Sequence, residues 1–493
     1  MTEAVQVKPT TEEDSALQAF RAAVTGDLGE DILLDDPERT PPYLREWRDL
    51  YHGTTPFVLR PRTTEDVSTI VRHAAAHRVV LVPQGGNTGL VGGQIPVTGG
   101  REVVVSMERM NAIVEVDPRG NTMTVEAGVI VADVQAAAEA ADRLFPVSLA
   151  SQGSCRIGGL ISTNAGGTGV LAYGNTRDQV LGLEVVLPDG RIWNGLRGLR
   201  KDNTGYDLKH LFIGAEGTLG IVTRAVLKLA PKPFARDVAL VGVASPAVAL
   251  SLLARVRSAV GESLTAFEII PRIGIEFVLQ YGHGTRDPFT AGIPPWIVLI
   301  EASTFSPERP MRDVLEQVLM AAYEDEMLSD AVVSQSITEA EDFWRLRDQL
   351  SEVQGKAGGS IKHDVSVPVA AVPQFLEEAT AAALAVVPAA RPVPFGHLGD
   401  GNIHFNISQP VGADKAAFLD RWEEMNAAVH AVVKRHHGSI AAEHGVGRLK
   451  RELLYDVRDD VELDMMRSIK SLFDPQNIMN PGRVLPTKPR GAH

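Results

Sequence analysis

Two histidines lie seven residues apart in Phe395-Gly396-His397-Leu398-Gly399-Asp400-Gly401-Asn402-Ile403-His404-Phe405-Asn406. On one unbroken strand they would face opposite sides, because side chains alternate. Asp400-Gly401 is a strong turn signal, and a chain reversal there brings both imidazoles to one place. Ile403 to Ser408 then reads as a strand on which His404 and Asn406 share a face. Further on, Ser439-Ile440-Ala441-Ala442-Glu443-His444-Gly445-Val446-Gly447 sets a carboxylate beside a third histidine, among glycines that allow close approach. Two imidazoles and one carboxylate leave coordination positions open, as a catalytic rather than a structural metal site requires. Zinc is the metal expected, and manganese accepts the same ligands. For His283 alone an ordinary hydrogen-bonded histidine is expected, and His436-His437 reads as solvated helix surface.

Three glycine-rich segments carry a different chemistry. Pro83-Gln84-Gly85-Gly86-Asn87-Thr88-Gly89-Leu90-Val91-Gly92-Gly93 follows the apolar run Val79 to Val82. Ser151 to Gly167 and Gly214 to Val222 mix glycine with serine, threonine and asparagine in the same way. Glycines let amide N–H groups converge and let an anion such as a pyrophosphate approach the backbone. One such loop can be a tight turn, but three in one region favour a large phosphate-bearing cofactor. Gly167-Thr168-Gly169-Val170-Leu171-Ala172 satisfies G-x-G-x-x-A without a strand before it or a long helix after it, so a Rossmann nicotinamide site is rejected. No G-x-x-x-x-G-K-[ST] occurs, which leaves nucleotide hydrolysis without support.

These three segments, with Lys201-Asp202-Asn203-Thr204-Gly205-Tyr206-Asp207-Leu208 leading into the third, resemble the FAD domain of flavoproteins related to vanillyl-alcohol oxidase and p-cresol methylhydroxylase. More narrowly, the chain from about Trp47 to Pro486 resembles the FAD-linked D-2-hydroxyacid dehydrogenases. The resemblance implies FAD contacts at Pro83, Gly85, Gly86, Asn87, Thr88, Gly89 and Leu90 in the first loop. In the second it implies Gly153, Ser154, Ile157, Gly158, Gly159, Thr163, Asn164 and Gly166, and beyond that Gly217, Ile221 and Asn480. Some relatives bind FAD covalently through a histidine in the first loop; Asn87 stands in that stretch here, which implies non-covalent FAD. His397, His404 and Glu443 match metal ligands and His444 matches the general base. The implied activity is oxidation of a D-2-hydroxy acid, with D-2-hydroxyglutarate as the leading substrate and D-lactate or glycolate as alternatives.

That chemistry suits the residues. Removing hydride from C2 of a hydroxy acid is easier from an alkoxide, and a divalent metal on the hydroxyl lowers its pKa. His444 then accepts the proton. Arg347 and Ser351 are four apart on an expected helix and so point the same way, able to grip a carboxylate through guanidinium and hydroxyl. Lys362, in an expected strand Ser360 to Val365, adds a second positive charge. The resemblance places these three and Asn406 against the acid substrate, with threonine in the relatives where Ser351 stands. It also implies an electron-transferring flavoprotein or a quinone-linked carrier as acceptor, and a homodimer. The reading from a different class is a metal-dependent hydrolase or a non-redox binding protein with purely structural glycine loops.

The elements that must position these groups follow from the pattern of the chain. An α+β fold is expected: an N-terminal extension over 1–45, a two-part FAD-binding domain of the vanillyl-alcohol oxidase type over 46–232, a substrate (cap) domain with a central antiparallel sheet over 233–420, and a C-terminal helical segment over 421–493 packing on the flavin site. Short β-type runs and one clear helix, Thr64 to Ala76, occupy the second part, and Pro231-Lys232-Pro233 marks its end. The 493 residues carry 48 Lys and Arg against 62 Asp and Glu, a net charge of −14 with no basic block, which argues against nucleic-acid binding. The single cysteine, Cys155, makes neither an intramolecular disulfide nor a thiolate zinc site, and a cytoplasmic setting is expected from it. The acidic N-terminus reads as neither secretory signal nor Arg-rich transit peptide. The longest uncharged run, Val238 to Ala254, is broken by Gly242 and Ser245-Pro246, so it reads as strand then capped helix rather than membrane span.

Overall fold

The helix Thr64–His77 starts and stops where its end residues dictate. The Thr63 side chain accepts the Asp66 amide N–H while the Asp66 carboxylate accepts from the Thr63 amide, and Arg78 closes the helix in the left-handed conformation. Its inner face, Val67, Ile70, Val71 and Ala74, is fully buried. In this computed structural model, which describes residues 11–488, that helix belongs to the first of two units, each discontinuous in sequence. Of the described residues, the first comprises 11–166, Asn175–Pro231 and 443–488. The second comprises Gly167–Gly174 and Lys232–Ala442.

Among the described residues the first unit contains two larger sheets and a two-stranded pair, Arg143–Leu144 with Ala230–Pro231. One orders its strands Leu33–Leu34, Val58–Leu59, Val103–Ser106 and Leu81–Gln84, with the last three running parallel. The other is antiparallel, in the order Ile113–Asp117, Thr122–Glu126, Ile221–Lys228, Val180–Val186 and Ile192–Gly195. Residues 11–45 are built into this unit rather than laid over it as an extension. Phe20 and Val24 of the helix Thr11–Leu28 are fully buried, Phe20 stacks on Phe57, and Leu33–Leu34 pairs with Val58–Leu59. Turns over residues 37–40 lead into a short helix, Pro41–Leu44, since proline suits the first helical turn.

The second unit is built on a large antiparallel sheet. Its order is Asp330–Val333, Ala235–Val243, Trp296–Thr304, Leu264–Pro271, Arg391–His397, Asn402–Ser408 and Ser360–Ile361, with Asp364–Ser366 also paired to Asn402–Ser408. Ala235–Val243 is fully buried from Asp237 on and leads into the helix Pro246–Val260, which Ser245 caps through the Val248 amide. The stretch expected as one helical C-terminal segment divides at Ala442. The helix Trp422–Arg435 packs against Val372–Val386 in the second unit, whereas residues 478–480 bond to Leu81 in the first. His436 ends that helix with a side chain only 11% exposed, beside Glu378 and edge-on to Phe375, so it is not solvated surface. Among the described residues one helix, Val369–Val386, is long and apolar enough to cross a membrane by length and composition. Its Val372, Phe375, Leu376, Ala379 and Ala383 are buried in the second unit.

Candidate active site

In the second unit the Asp400-Gly401 turn joins Arg391–His397 to Asn402–Ser408, with Phe395 opposite His404 and His397 opposite Asn402. His397 and His404 are therefore diagonal neighbours on one face. Their ring centroids are 5.6 Å apart, and a ring nitrogen of each lies within 4.8 Å of the other. Asn406, two residues on from His404, is buried on the same face. Gly401 adopts φ +85°, and a Cβ there would lie 2.2 Å from the Val367 carbonyl oxygen, so the turn needs glycine.

One residue that sequence reasoning missed organises this face. Glu268, in the strand Leu264–Pro271, stands directly opposite His397 in the neighbouring strand and is 1% exposed. Its carboxylate accepts from His397 Nδ1 at 2.6 Å and from Arg347 Nε at 2.8 Å. Burial pushes this carboxyl up, but the adjoining His397 and Arg347 charges and hydrogen bonds overcome that and hold it at about 2. In the neutral ring the Nδ1 contact selects the tautomer whose lone pair is on Nε2, which lies 3.3 Å from Arg347 Nη2. The signal was present in the sequence as one carboxylate inside the apolar run Ala266-Phe267-Glu268-Ile269-Ile270.

Arg347 and Ser351 do not share a helix. Ile337–Asp348 and Leu350–Lys356 are separated at Gln349, which keeps φ −72° and ψ −13° while its buried side chain bonds both the N–H and the carbonyl of His283, each at 2.9 Å. Arg347 lies with Glu268 and His397, whereas Ser351 lies with Lys362, whose Nζ donates to the Ser351 carbonyl at 2.7 Å. The strand expected from Ser360 to Val365 is interrupted at Lys362-His363, which separate Ser360–Ile361 from Asp364–Ser366. His363, also unforeseen, is buried there with Nδ1 2.8 Å from the Phe405 carbonyl oxygen.

In the first unit the three glycine loops converge. A Cβ on Gly86 would lie 2.0 Å from the Ser154 carbonyl oxygen, Gly85 approaches Gly159, and Gly217 (φ +72°) packs on Pro83. Ile221 follows as a buried strand residue. Gly158 is pressed on Ala127, while Gly153 faces open space. Several polar side chains of the loops shape the protein itself. Asn87 Nδ2 donates to the Pro42 and Arg45 carbonyls, Thr163 Oγ1 to Gly159, and Asn164 Oδ1 accepts from the Arg177 amide. Among the described residues the amides of Gly86, Asn87, Thr88, Gly89 and Leu90 have no protein acceptor, which fits a backbone cradle for a phosphate-bearing cofactor. Gly86→Ala is expected to part the first two loops and weaken FAD binding by about tenfold or more, at least about 1.4 kcal/mol. The flavin absorbance per protein after reconstitution measures it.

The segment that carries Glu443 and His444 rests on the same loops. Arg448 and Leu449 N–H groups both reach the Val91 carbonyl, at 2.9 and 3.2 Å, and a Cβ on Gly447 would meet the same oxygen at 2.4 Å. Asn480 donates to the Gly93 and Glu216 carbonyls. Ala442, the residue before Glu443, donates to the carbonyl of Asp364, which is the strand partner of His404 in the second unit.

This geometry, flavin-type loops in one unit and a histidine-bearing antiparallel sheet in the other, is that of a vanillyl-alcohol oxidase type FAD enzyme. p-Cresol methylhydroxylase with substrate bound has the same fold, with a TM-score of 0.74 over 97% of both chains at 18% identity. Residues 55–195 match the FAD binding domain family, and residues 232–484 match the C-terminal domain of the FAD linked oxidases. A probable D-2-hydroxyglutarate dehydrogenase of Oryza sativa subsp. japonica is 38% identical over 93% of this chain and 80% of its own. The D-2-hydroxyglutarate dehydrogenase of Xanthomonas citri is also 38% identical, over 92% of this chain and 94% of its own. The chain belongs to the FAD-linked D-2-hydroxyacid dehydrogenase family and is an FAD-dependent dehydrogenase. The cytoplasmic expectation is corrected by the relatives: those from rice, Arabidopsis thaliana, Danio rerio and Rattus norvegicus are mitochondrial by name. A single cysteine is as compatible with that compartment, so it did not discriminate.

Proposed function

We propose that this protein oxidises D-2-hydroxyglutarate to 2-oxoglutarate, with His444 as general base and a divalent metal, zinc or manganese, held by His397, His404 and Glu443. The observation that carries this reading is the buried Glu268 cluster, in which one carboxylate bonds both His397 and Arg347 and His397 Nε2 lies 3.3 Å from the Arg347 guanidinium. The names of the relatives support the substrate. Bound FAD, held without a covalent link, supplies the acceptor for the C2 hydride. The metal supplies Lewis acidity toward the C2 hydroxyl. Arg347, kept in place by Glu268, grips one substrate carboxylate, and Lys362, Ser351 and Asn406 complete the polar contacts. His444 takes the hydroxyl proton onto a ring nitrogen. An electron-transferring flavoprotein or a quinone-linked carrier then receives the electrons.

The test is the visible spectrum of the purified protein during anaerobic addition of D-2-hydroxyglutarate, D-lactate, D-malate and their L-enantiomers. Bleaching by D-2-hydroxyglutarate at the lowest concentration is expected, with loss of bleaching after chelation and recovery on adding zinc or manganese. Bleaching by D-lactate instead would move the substrate, and bleaching indifferent to chelator would remove the metal. A flavin that no acid bleaches would discard the substrate class.

A further inference from the structure

His444 is followed by Gly445, Val446 and Gly447, with φ +78° and +51° at the two glycines, so the local chain does not by itself fix where the imidazole stands. The group that holds this segment comes from the third glycine loop. The Glu216 carboxylate, 8% exposed, accepts the Val446 N–H at 2.7 Å and the Gly447 N–H at 2.9 and 3.1 Å. It is wedged there: a Cβ on Gly445 would lie 2.7 Å from Oε1, and a Cβ on Gly93 would lie 3.0 Å from Oε2. Its own backbone is pinned as tightly. Glu216 adopts φ +51°, its N–H donates to the Ser162 carbonyl at 2.8 Å, and its carbonyl accepts from Asn480 Nδ2 at 2.8 Å. One side chain is thereby referenced to all three loops and grips the residues just after the base.

We infer that Glu216 is a positioning residue for proton abstraction, its carboxylate setting the place of the His444 imidazole relative to the flavin loops. The inference rests on the reading of His444 as the base. A neutral amide at 216 offers one acceptor oxygen and turns N–H donors toward the amide N–H groups it should bind, so the segment loosens while the loop backbone keeps its own bonds. A misplacement of about 1 Å is enough to slow a proton transfer by roughly 10²-fold.

The experiment is a double-mutant cycle on the FAD-loaded, metal-loaded enzyme, read as the anaerobic rate of flavin reduction by D-2-hydroxyglutarate. Glu216→Gln should retain FAD and slow reduction by roughly 10- to 100-fold, with KM changed less than kcat, yet slow it by less than about twofold once His444→Ala is present. Equal slowing in both backgrounds, or no slowing in the parent, overturns the inference. If His444→Ala itself reduces at the parental rate, the reading of the base falls and this inference with it. Should Glu216→Gln not hold FAD, Glu216→Asp, which keeps the charge and shortens the reach to the Val446 and Gly447 N–H groups, enters the same cycle, and the same outcomes decide.

Discussion

Replacing His444 by alanine is expected to leave FAD and metal bound and to slow flavin reduction by D-2-hydroxyglutarate by roughly 10²-fold or more. The size follows from the chemistry: without a base the hydroxyl proton must go to water, while the Lewis acid and the substrate grip remain. Two companion readings separate loss of a base from general damage. The parental rate should rise with pH as the imidazole loses its proton, and that rise should vanish in the variant. Added imidazole should restore part of the variant's rate and none of the parent's. A variant that reduces its flavin at the parental rate, or whose metal content falls with its rate, would take the base role from His444.

Local chemistry was legible in the sequence wherever one short segment carried it. Asp400-Gly401 announced the reversal that joins His397 to His404, and the hairpin has that form because the turn and the alternation on both strands agree. The helix expected over Thr64 to Ala76 forms, and so does the capped one expected after Ser245-Pro246. What stayed hidden depends on distant partners. No local feature says that Gln349, between Arg347 and Ser351, binds the His283 backbone. Asn87 was read among the flavin contacts, and its side-chain amide is engaged by the carbonyls of residues 42 and 45, about forty positions earlier, while its backbone N–H belongs to the loop's cradle. The units interleave along the chain for the same reason: Leu81 donates to the Ile478 carbonyl and accepts from Asn480, a sheet contact that pattern within a window does not reveal. Glu268 was visible as an anomaly, a carboxylate in a strand too apolar to solvate it, and its neighbours could be learned only from strand order.

That anomaly leads to the second large effect. Glu268→Gln is expected to lower stability at neutral pH by roughly 3 kcal/mol and to weaken metal retention by about 10- to 100-fold. The parental carboxyl is held at about 2 against an ordinary 4.5. A depressed carboxyl contributes its stability in full above about pH 4.5 and loses it as pH falls through about 2. At roughly 1.36 kcal/mol per pH unit that interval corresponds to about 3 kcal/mol. The glutamine has the shape but not the charge. It removes the Glu268 charge from beside the largely buried Arg347 guanidinium, and it must turn an N–H toward either Arg347 Nε or His397 Nδ1, both of them donors. Denaturant unfolding of the metal-free proteins at several pH values gives the check. The parent should be the more stable at neutral pH, and the gap should close as pH approaches 2, because protonation removes from the parent what the substitution removed from the variant. A gap independent of pH would mean that glutamine only packs badly there. Equal stability together with equal metal affinity would mean that Glu268 orients neither His397 nor Arg347.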